Sequence, residues 1–91
     1  MFNLVFTKKA LKEIENLDRN VSLRVLDKLK WLAGHGDEVV HHQLTSLPES
    51  LKGLCRLRIG EWRVLYWVYH EEKRIVVYGV APRSEAYRSL P

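Results

Sequence analysis

The chain has 91 residues, 46% hydrophobic and 29% charged, with a formal net charge of +4 at pH 7. This length suits one domain over residues 1–91 and is too short for two. No apolar run approaches the ~18 residues of a membrane span. The first six residues lack the basic and the long apolar regions of a secretory signal, so we expect none. The single cysteine, Cys55, cannot form an internal disulfide. We therefore expect a small cytoplasmic domain that does not bind membranes.

Hydrophobic periodicity predicts elements in the order β-α-α-β-β-β. Thr7 is a suitable N-cap for a first helix with its apolar stripe at Ala10, Leu11, Ile14 and Leu17. The predicted strands are 2–6, 54–59, 61–69 and 74–81, and the predicted helices are 8–17 and from residue 18 or 20 to about 33. This order indicates an α+β domain in which a helical hairpin packs on one face of a mainly antiparallel sheet.

The segment from residue 37 to 53 has no clear periodicity and is interpreted as a connection with one helical turn at most. It follows His35 and contains His41 and His42, with Asp37 and Glu38 nearby, which raises the question of a metal site. Because no helical or Cys-x-x-Cys spacing fixes these side chains, we interpret them as solvated loop residues. No glycine-rich phosphate loop or other nucleotide motif is present, and we expect neither a metal nor a small-molecule cofactor.

The net charge lies entirely in the second half of the chain. Residues 1–51 contain seven Lys or Arg and seven Asp or Glu, whereas residues 52–91 contain eight and four. Most of these later cations are arginines, which bind phosphate in bidentate fashion. An exposed charged face that binds nothing is the alternative interpretation.

Alternation along the strand after Gly53 places Arg56 and Arg58 on one face, with Cys55 on the opposite, core face. Gly60 allows a tight turn that returns Arg63 beside Arg58. Such a group of guanidinium ions suits a phosphodiester, although Arg63 could instead form an ion pair with Glu61 or Glu85. The later Arg83 and Tyr87 add a cation and a ring, and the ring either stacks on a base or covers the core.

The sequence resembles the RelE/ParE superfamily of toxin–antitoxin toxins over nearly its whole length, and its ending resembles the RelE branch. The segments that support this are Thr7-Lys8-Lys9-Ala10-Leu11-Lys12, Leu51-Lys52-Gly53-Leu54, Gly60-Glu61-Trp62-Arg63-Val64-Leu65-Tyr66 and Arg83-Ser84-Glu85-Ala86-Tyr87. The resemblance implies a ribosome-dependent endoribonuclease that cuts mRNA by metal-free attack of the ribose 2′-hydroxyl on the adjacent phosphate. It also implies a cognate antitoxin as protein partner.

The resemblance further implies roles for individual residues. Arg63 matches the arginine that holds the scissile phosphate, Arg83 matches the arginine of the C-terminal motif, and Tyr87 matches the tyrosine that stacks on the nucleotide. Arg58, with Arg56 before it, stands where the best-studied branch has two lysines, one of them the general base. Lys52 is expected to join Arg56 in binding RNA phosphate.

The replacement of the two lysines by Arg56 and Arg58 has a chemical consequence, because a guanidinium is a poor base at neutral pH. The arginines can therefore bind the phosphate, but no residue among them is a good general base. This combination predicts a slow nuclease. The alternatives are a ParE-like toxin that inhibits DNA gyrase without cutting RNA, and a plain basic RNA-binding domain.

Overall fold

The computed structural model describes residues 1–88, and its elements follow the predicted order with one addition. The strands are β1 (Asn3–Phe6), β2 (His42–Gln43), β3 (Cys55–Ile59), β4 (Trp62–Tyr69) and β5 (Arg74–Pro82), and the helices are α1 (Lys8–Glu15) and α2 (Arg19–Gly34). A short 3-10 turn, Glu49–Leu51, lies between β2 and β3. No helix within the described residues is long and apolar enough to cross a membrane.

The five strands form one sheet in the order β1-β5-β4-β3-β2. β1 pairs with β5 in parallel, and the other neighbours are antiparallel. The predicted α+β class with a mainly antiparallel sheet is therefore confirmed. The prediction of a connection with one helical turn at most before β3 was incomplete. The short 3-10 turn is present, but β2 also adds two residue pairs to the edge of β3. Two residues are too few for a periodic pattern to indicate a strand.

α1 begins where the sequence predicts, because the Thr7 side chain caps it. The Thr7 Oγ1 accepts a bond from the Ala10 N–H at 3.1 Å and donates one to the Tyr78 carbonyl at 2.9 Å. The cap thus satisfies a free amide at the helix start and also joins α1 to β5. Glu13 makes a second connection, since its carboxylate accepts the Val80 N–H at 2.8 Å on the open part of the β5 edge.

The main core lies between the helices and one face of the sheet. α2 supplies Val25, Leu29 and Leu32, which meet residues of the three long strands such as Val64 and Ile75. One member of the predicted α1 stripe does not reach this core: Leu11 is 48% exposed. The helix has only eight residues and packs mainly against β5, so only part of its apolar stripe is covered.

The sheet face that points away from the helices, hereafter the far face, carries Arg56 and Arg58 of β3 and Arg63 of β4. It is not fully open to solvent. Leu51, Leu54, Leu65 and Ala86 are all buried although they lie outside the helix-side core. The segment before β3 and the turn after β5 therefore contribute a second, smaller apolar layer.

Candidate functional site

The β3–β4 hairpin places two arginines side by side on the far face. Arg58 pairs directly with Arg63, and Arg56 lies two residues back, opposite Leu65. Side chains directly opposite in an antiparallel pair have Cβ atoms about 4.5–5.5 Å apart. Gly60 has a φ of +59°, a left-handed conformation that only glycine adopts without strain, and it permits the tight turn that sets this register.

Arg63 is held by the turn of its own hairpin. Its Nη1 donates to the carbonyl oxygens of Gly60 and Trp62, each at 2.8 Å, and the residue is only 8% exposed. Neither of the ion pairs considered from the sequence, with Glu61 or Glu85, is formed within residues 1–88. A guanidinium has five N–H donors. Anchoring through Nη1 leaves Nε and Nη2 for another acceptor and fixes their direction.

The end of β5 brings Arg83 to the same hairpin. Pro82 pairs with Trp62, and the Arg83 N–H donates to the Glu61 carbonyl oxygen at 2.6 Å. The chain then turns, because the amides of residues 85 and 86 both donate to the Pro82 carbonyl oxygen at 2.9 Å. These backbone bonds fix the start of the arginine-containing tail beside the hairpin turn.

Tyr87 lies at the end of this turn and is 39% exposed. Its neighbour Ala86 is 2% exposed, so this turn is packed against the rest of the domain. The position of Tyr87 is consequently set by a buried residue next to it, while its own ring stays accessible. The structure thus assembles Arg58, Arg63, Arg83 and Tyr87 at one end of the sheet; these four residues are called the hairpin site below.

Lys52 lies away from this group. Its carbonyl oxygen accepts a 3.2 Å bond from the indole N–H of Trp67, which is four residues along β4 from Arg63. At about 3.3 Å per residue the two positions are roughly 13 Å apart along the strand. Lys52 is therefore not part of the hairpin site, and its expected role with Arg56 in binding RNA phosphate stays a prediction.

The arginines of the hairpin site form no ion pair within the part of the chain that the structure describes. The ion pairs within residues 1–88 are Lys9–Glu13, Arg74–Glu72 and the contacts of Asp37 with His70 and Lys73, and none involves Arg56, Arg58, Arg63 or Arg83. Guanidinium groups arranged in this way bind planar or tetrahedral oxyanions with short, charge-assisted hydrogen bonds. Among common biological ligands a phosphodiester fits best, since it is anionic and offers two oxygens to a fork of N–H groups.

Cys55 is not part of any reactive group. It is fully buried on the core face, and burial raises the pKa of its thiol to about 11. Its Sγ donates weakly to the Gly53 carbonyl oxygen at 3.3 Å. A protonated, inaccessible thiol cannot act as a nucleophile at neutral pH.

One histidine does not fit the prediction of solvated loop residues. The Nε2–H of His41 donates to the Gly36 carbonyl oxygen at 2.7 Å, and its Nδ1 accepts the hydroxyl proton of the buried Tyr66 at 2.6 Å. The carbonyl can only accept, which assigns the ring proton to Nε2. His41 therefore attaches the loop after α2 to β4, and no three His, Cys, Asp or Glu side chains among residues 1–88 are placed to share a metal ion.

The sequence interpretation also missed Arg24. Its Nη2 lies 2.8 Å from the position that a Cβ on Gly60 would take, so a helix residue reaches the hairpin turn from the other side. Arg24, Lys28, Trp31 and His35 follow one another at three- and four-residue steps along α2. This helical spacing of cations and aromatic rings is a signal that could have identified the stripe.

Comparison with known proteins gives a consistent result. Residues 4–87 match the family model of the ParE toxin of the type II toxin–antitoxin system parDE. No curated protein sequence matches the chain.

Several solved structures share its fold. The isolated E. coli RelE toxin is 24% identical, with a TM-score of 0.72 over 97% of this chain and 93% of that one. A chain of the RelBE2 toxin–antitoxin complex from Mycobacterium tuberculosis is 23% identical, with a TM-score of 0.74 over 90% of this chain and 98% of that one. A chain of the archaeal RelE–RelB complex from Pyrococcus horikoshii is 24% identical, with a TM-score of 0.67 over 93% of this chain and 98% of that one.

Proposed function

The chain belongs to the RelE/ParE superfamily of type II toxins, and from this premise we propose that it is a ribosome-dependent endoribonuclease that cuts mRNA and so inhibits translation. The observation that supports this most is the hairpin site, where the backbone brings Arg58, Arg63 and Arg83 to one end of the sheet and none of them forms an ion pair within residues 1–88. A toxin that acted only through protein contacts would not need three uncompensated guanidinium groups at one end of a sheet.

The proposed reaction is attack of a ribose 2′-hydroxyl on the adjacent phosphate. The 2′-oxygen loses its proton and bonds to phosphorus, the bond from phosphorus to the 5′-oxygen breaks, and that oxygen takes up a proton. The products are a 2′,3′-cyclic phosphate and a 5′-hydroxyl. The transition state concentrates negative charge on the phosphate oxygens, and preorganised N–H donors stabilise this charge most effectively.

Arg63 is the residue best placed for this role. Its two bonds to the hairpin turn hold the guanidinium in one orientation before the substrate arrives. Because it is nearly excluded from water, its interaction with a phosphate oxygen is less screened than that of an exposed arginine. Arg58 and Arg83 add charge on either side, and Tyr87 supplies an accessible ring on which a base can stack.

The hairpin site lacks a good general base for proton transfer. Arginine stays protonated at neutral pH, so Arg58 can bind phosphate and cannot readily accept the 2′-hydroxyl proton. General acid–base catalysis typically contributes about 10²- to 10⁴-fold to a rate. We therefore expect slow cleavage that depends on charge stabilisation and on groups supplied by the ribosome.

The proposed protein partner is a cognate antitoxin. The structures that share this fold include RelE bound to RelB in two separate complexes, from E. coli and from Pyrococcus horikoshii. An antitoxin segment for this chain should offer acidic side chains to the hairpin site, because an uncompensated cationic cluster attracts them. Bound there, it would compete directly with the phosphate of the message.

Primer extension on a defined mRNA tests the proposal. Purified ribosomes are paused with an empty decoding site, and the message is mapped with and without the protein. We expect one discrete cut inside that codon, lost when the nucleotide 5′ to the cut carries a 2′-O-methyl group. An intact message, together with protein-dependent DNA cleavage in a gyrase assay, would support the ParE-like alternative instead. An intact message with RNA binding that falls steeply with salt would indicate a plain RNA-binding domain.

A further inference from the structure

A groove of about 360 Å³ lies between α2 and β3, beside the hairpin site. Its walls combine two kinds of residue. Lys28 of the helix, His42 of β2, and Arg56 and Arg58 of β3 are cationic or polar, and Trp31, Leu32, Val39, Val40, Leu57 and Tyr66 are largely apolar. The two β3 arginines thus belong to the far face and also line this groove. β2 pairs only with the first two residues of β3, so beyond Arg56 no strand separates the groove from the edge of the hairpin.

Arg24 extends the same surface around the hairpin turn. Its Nη2 lies next to Gly60, whose carbonyl oxygen accepts the Nη1 bond of Arg63 at 2.8 Å. Two guanidinium groups therefore flank the turn, one from the helix side and one from the far face. Arg24 and Lys28 also line a shallower depression together, beside Trp31 and Ile59.

The cations of this surface have no ion-pair partner in the part of the chain that the structure describes. Within residues 1–88, neither Arg24 nor Lys28 lies within 4.0 Å of a carboxylate oxygen, and Asp27 is the acidic residue that lines the depression. The Trp31 ring already has two contacts within the chain: the Lys28 Nζ lies 4.1 Å from its centroid, and the His35 ring stacks on it at a centroid distance of 4.6 Å. Val39, Val40 and Leu57 also line the groove, but the four cations around it, Arg24, Lys28, Arg56 and Arg58, form no ion pair within residues 1–88, and this charge favours an RNA backbone over a hydrophobic peptide.

We propose that Arg24 and Lys28, together with Arg56 and Arg58, bind the sugar-phosphate backbone of RNA as it leaves the hairpin site around the edge of β3. This inference rests on the proposed function and extends it from the cut phosphate to the phosphates beside it. Contacts of this kind position the RNA and carry no sequence information. The contacts of Arg24 and Lys28, which lie outside the hairpin site, should affect the affinity of the toxin for its RNA and leave the chemical step unchanged.

Binding to free RNA provides the first test. Fluorescence anisotropy with a labelled 2′-O-methyl RNA 12-mer, which cannot be cut, compares the parent protein with the Arg24→Ala/Lys28→Ala double variant. Each lost phosphate contact reduces the slope of log affinity against log salt by about 0.7 on a single strand, so we expect a decrease of about 1.4. Lys30→Ala is the control, an exposed lysine two residues farther along α2 and roughly 200° around the helix. An unchanged slope, or an equal loss in the control, would overturn the proposal.

Cleavage on the ribosome provides the second test and identifies the source of the phosphates. With single-turnover kinetics the double variant should need a higher protein concentration for half-maximal rate and reach the parent's maximal rate. The same defect on a full-length message and on one that ends at the decoding codon would assign the contacts to ribosomal RNA; a defect on the full-length message alone would assign them to mRNA. Unchanged behaviour on both messages, with weakened binding of the antitoxin, would show that the surface holds a peptide and would overturn the proposal.

The two proposals fail in different ways. If the parent protein does not cut any message, the proposed endoribonuclease function fails. The anisotropy experiment still measures how much Arg24 and Lys28 contribute to RNA affinity. If the parent cuts and the double variant matches it in every assay, only the groove proposal fails.

Discussion

Arg58 and Arg63 are direct cross-strand partners on the far face, and neither has an acidic partner within the described chain. Like charges placed opposite each other in an antiparallel pair destabilise a sheet. The fold therefore retains an unfavourable contact where the proposed chemistry needs two cations. Strained or repulsive arrangements of this kind are typical of functional sites, because stability and activity make different demands there.

Relief of this repulsion should stabilise the protein. We expect Arg58→Thr to increase the free energy of unfolding by about 0.2–1 kcal/mol, since threonine favours strands and the charge pair is lost. Urea denaturation at low salt and in 1 M NaCl measures the effect, which should shrink in high salt because the repulsion is screened. Arg56→Thr is the matched control, as it faces Leu65 and relieves no charge pair. Equal stabilisation of both variants would show that strand propensity alone is responsible.

The identity of residue 58 should also limit the rate. We expect Arg58→Lys to accelerate the single-turnover cleavage of ribosome-bound mRNA by about 10²-fold, the lower end of what general acid–base catalysis contributes. Lysine retains the positive charge, and its amine can lose a proton far more readily than a guanidinium can. Rapid-quench measurements between pH 6 and 9 should show the gain increasing with pH. Equal rates for variant and parent would mean that residue 58 takes no part in proton transfer.

The hydrogen bond between Tyr66 and His41 should contribute measurably to stability. Tyr66→Phe removes the buried hydroxyl and leaves the His41 Nδ1 without its described partner, and we expect a loss of about 1 kcal/mol or more in the free energy of unfolding. Tyr69→Phe on the same strand is the control, because that tyrosine is 37% exposed and should change stability by less than about 0.5 kcal/mol. A similar effect in both variants would show that the His41 contact adds nothing.

Cys55 should be unreactive in the native protein. Burial raises the pKa of its thiol to about 11, so at pH 8 it remains protonated as well as inaccessible. Because the folded state disfavours the thiolate, the Cys55 thiol lowers the free energy of unfolding only as the pH rises above 9.0, the ordinary pKa of a cysteine. Modification by a disulfide reagent at pH 8 should therefore occur only as fast as the protein opens, and should accelerate with urea. Immediate stoichiometric modification without denaturant would contradict this account.

The sequence predicted most of the fold because its elements carry strong local signals. The Thr7 cap, the alternation through β3 and β4, and the Gly60 turn are each readable within a few residues, and each is present in the structure. β2 could not be predicted, since two residues have no pattern of their own and pair only because β3 presents an open edge.

Within the candidate site, local reasoning succeeded where neighbours in sequence are neighbours in space. The alternation of β3 and the Gly60 turn were sufficient to place Arg58 beside Arg63. Arg24 was missed because its approach to Gly60 depends on how α2 crosses the sheet. His41 was misjudged for the same reason, as its partner Tyr66 is 25 residues away.

The most direct test of the central claim compares Arg63→Ala with Arg74→Ala in single-turnover cleavage of ribosome-bound mRNA. Both arginines lie on the far face, but Arg74 is at the other end, where it contacts Glu72 and the Tyr69 ring. Loss of one donor to the transition-state charge typically costs about 10²- to 10³-fold in rate. We predict a loss of this size for Arg63→Ala and parental rates for Arg74→Ala, with circular dichroism showing both variants folded. Cleavage by folded Arg63→Ala at the parental rate would contradict the account.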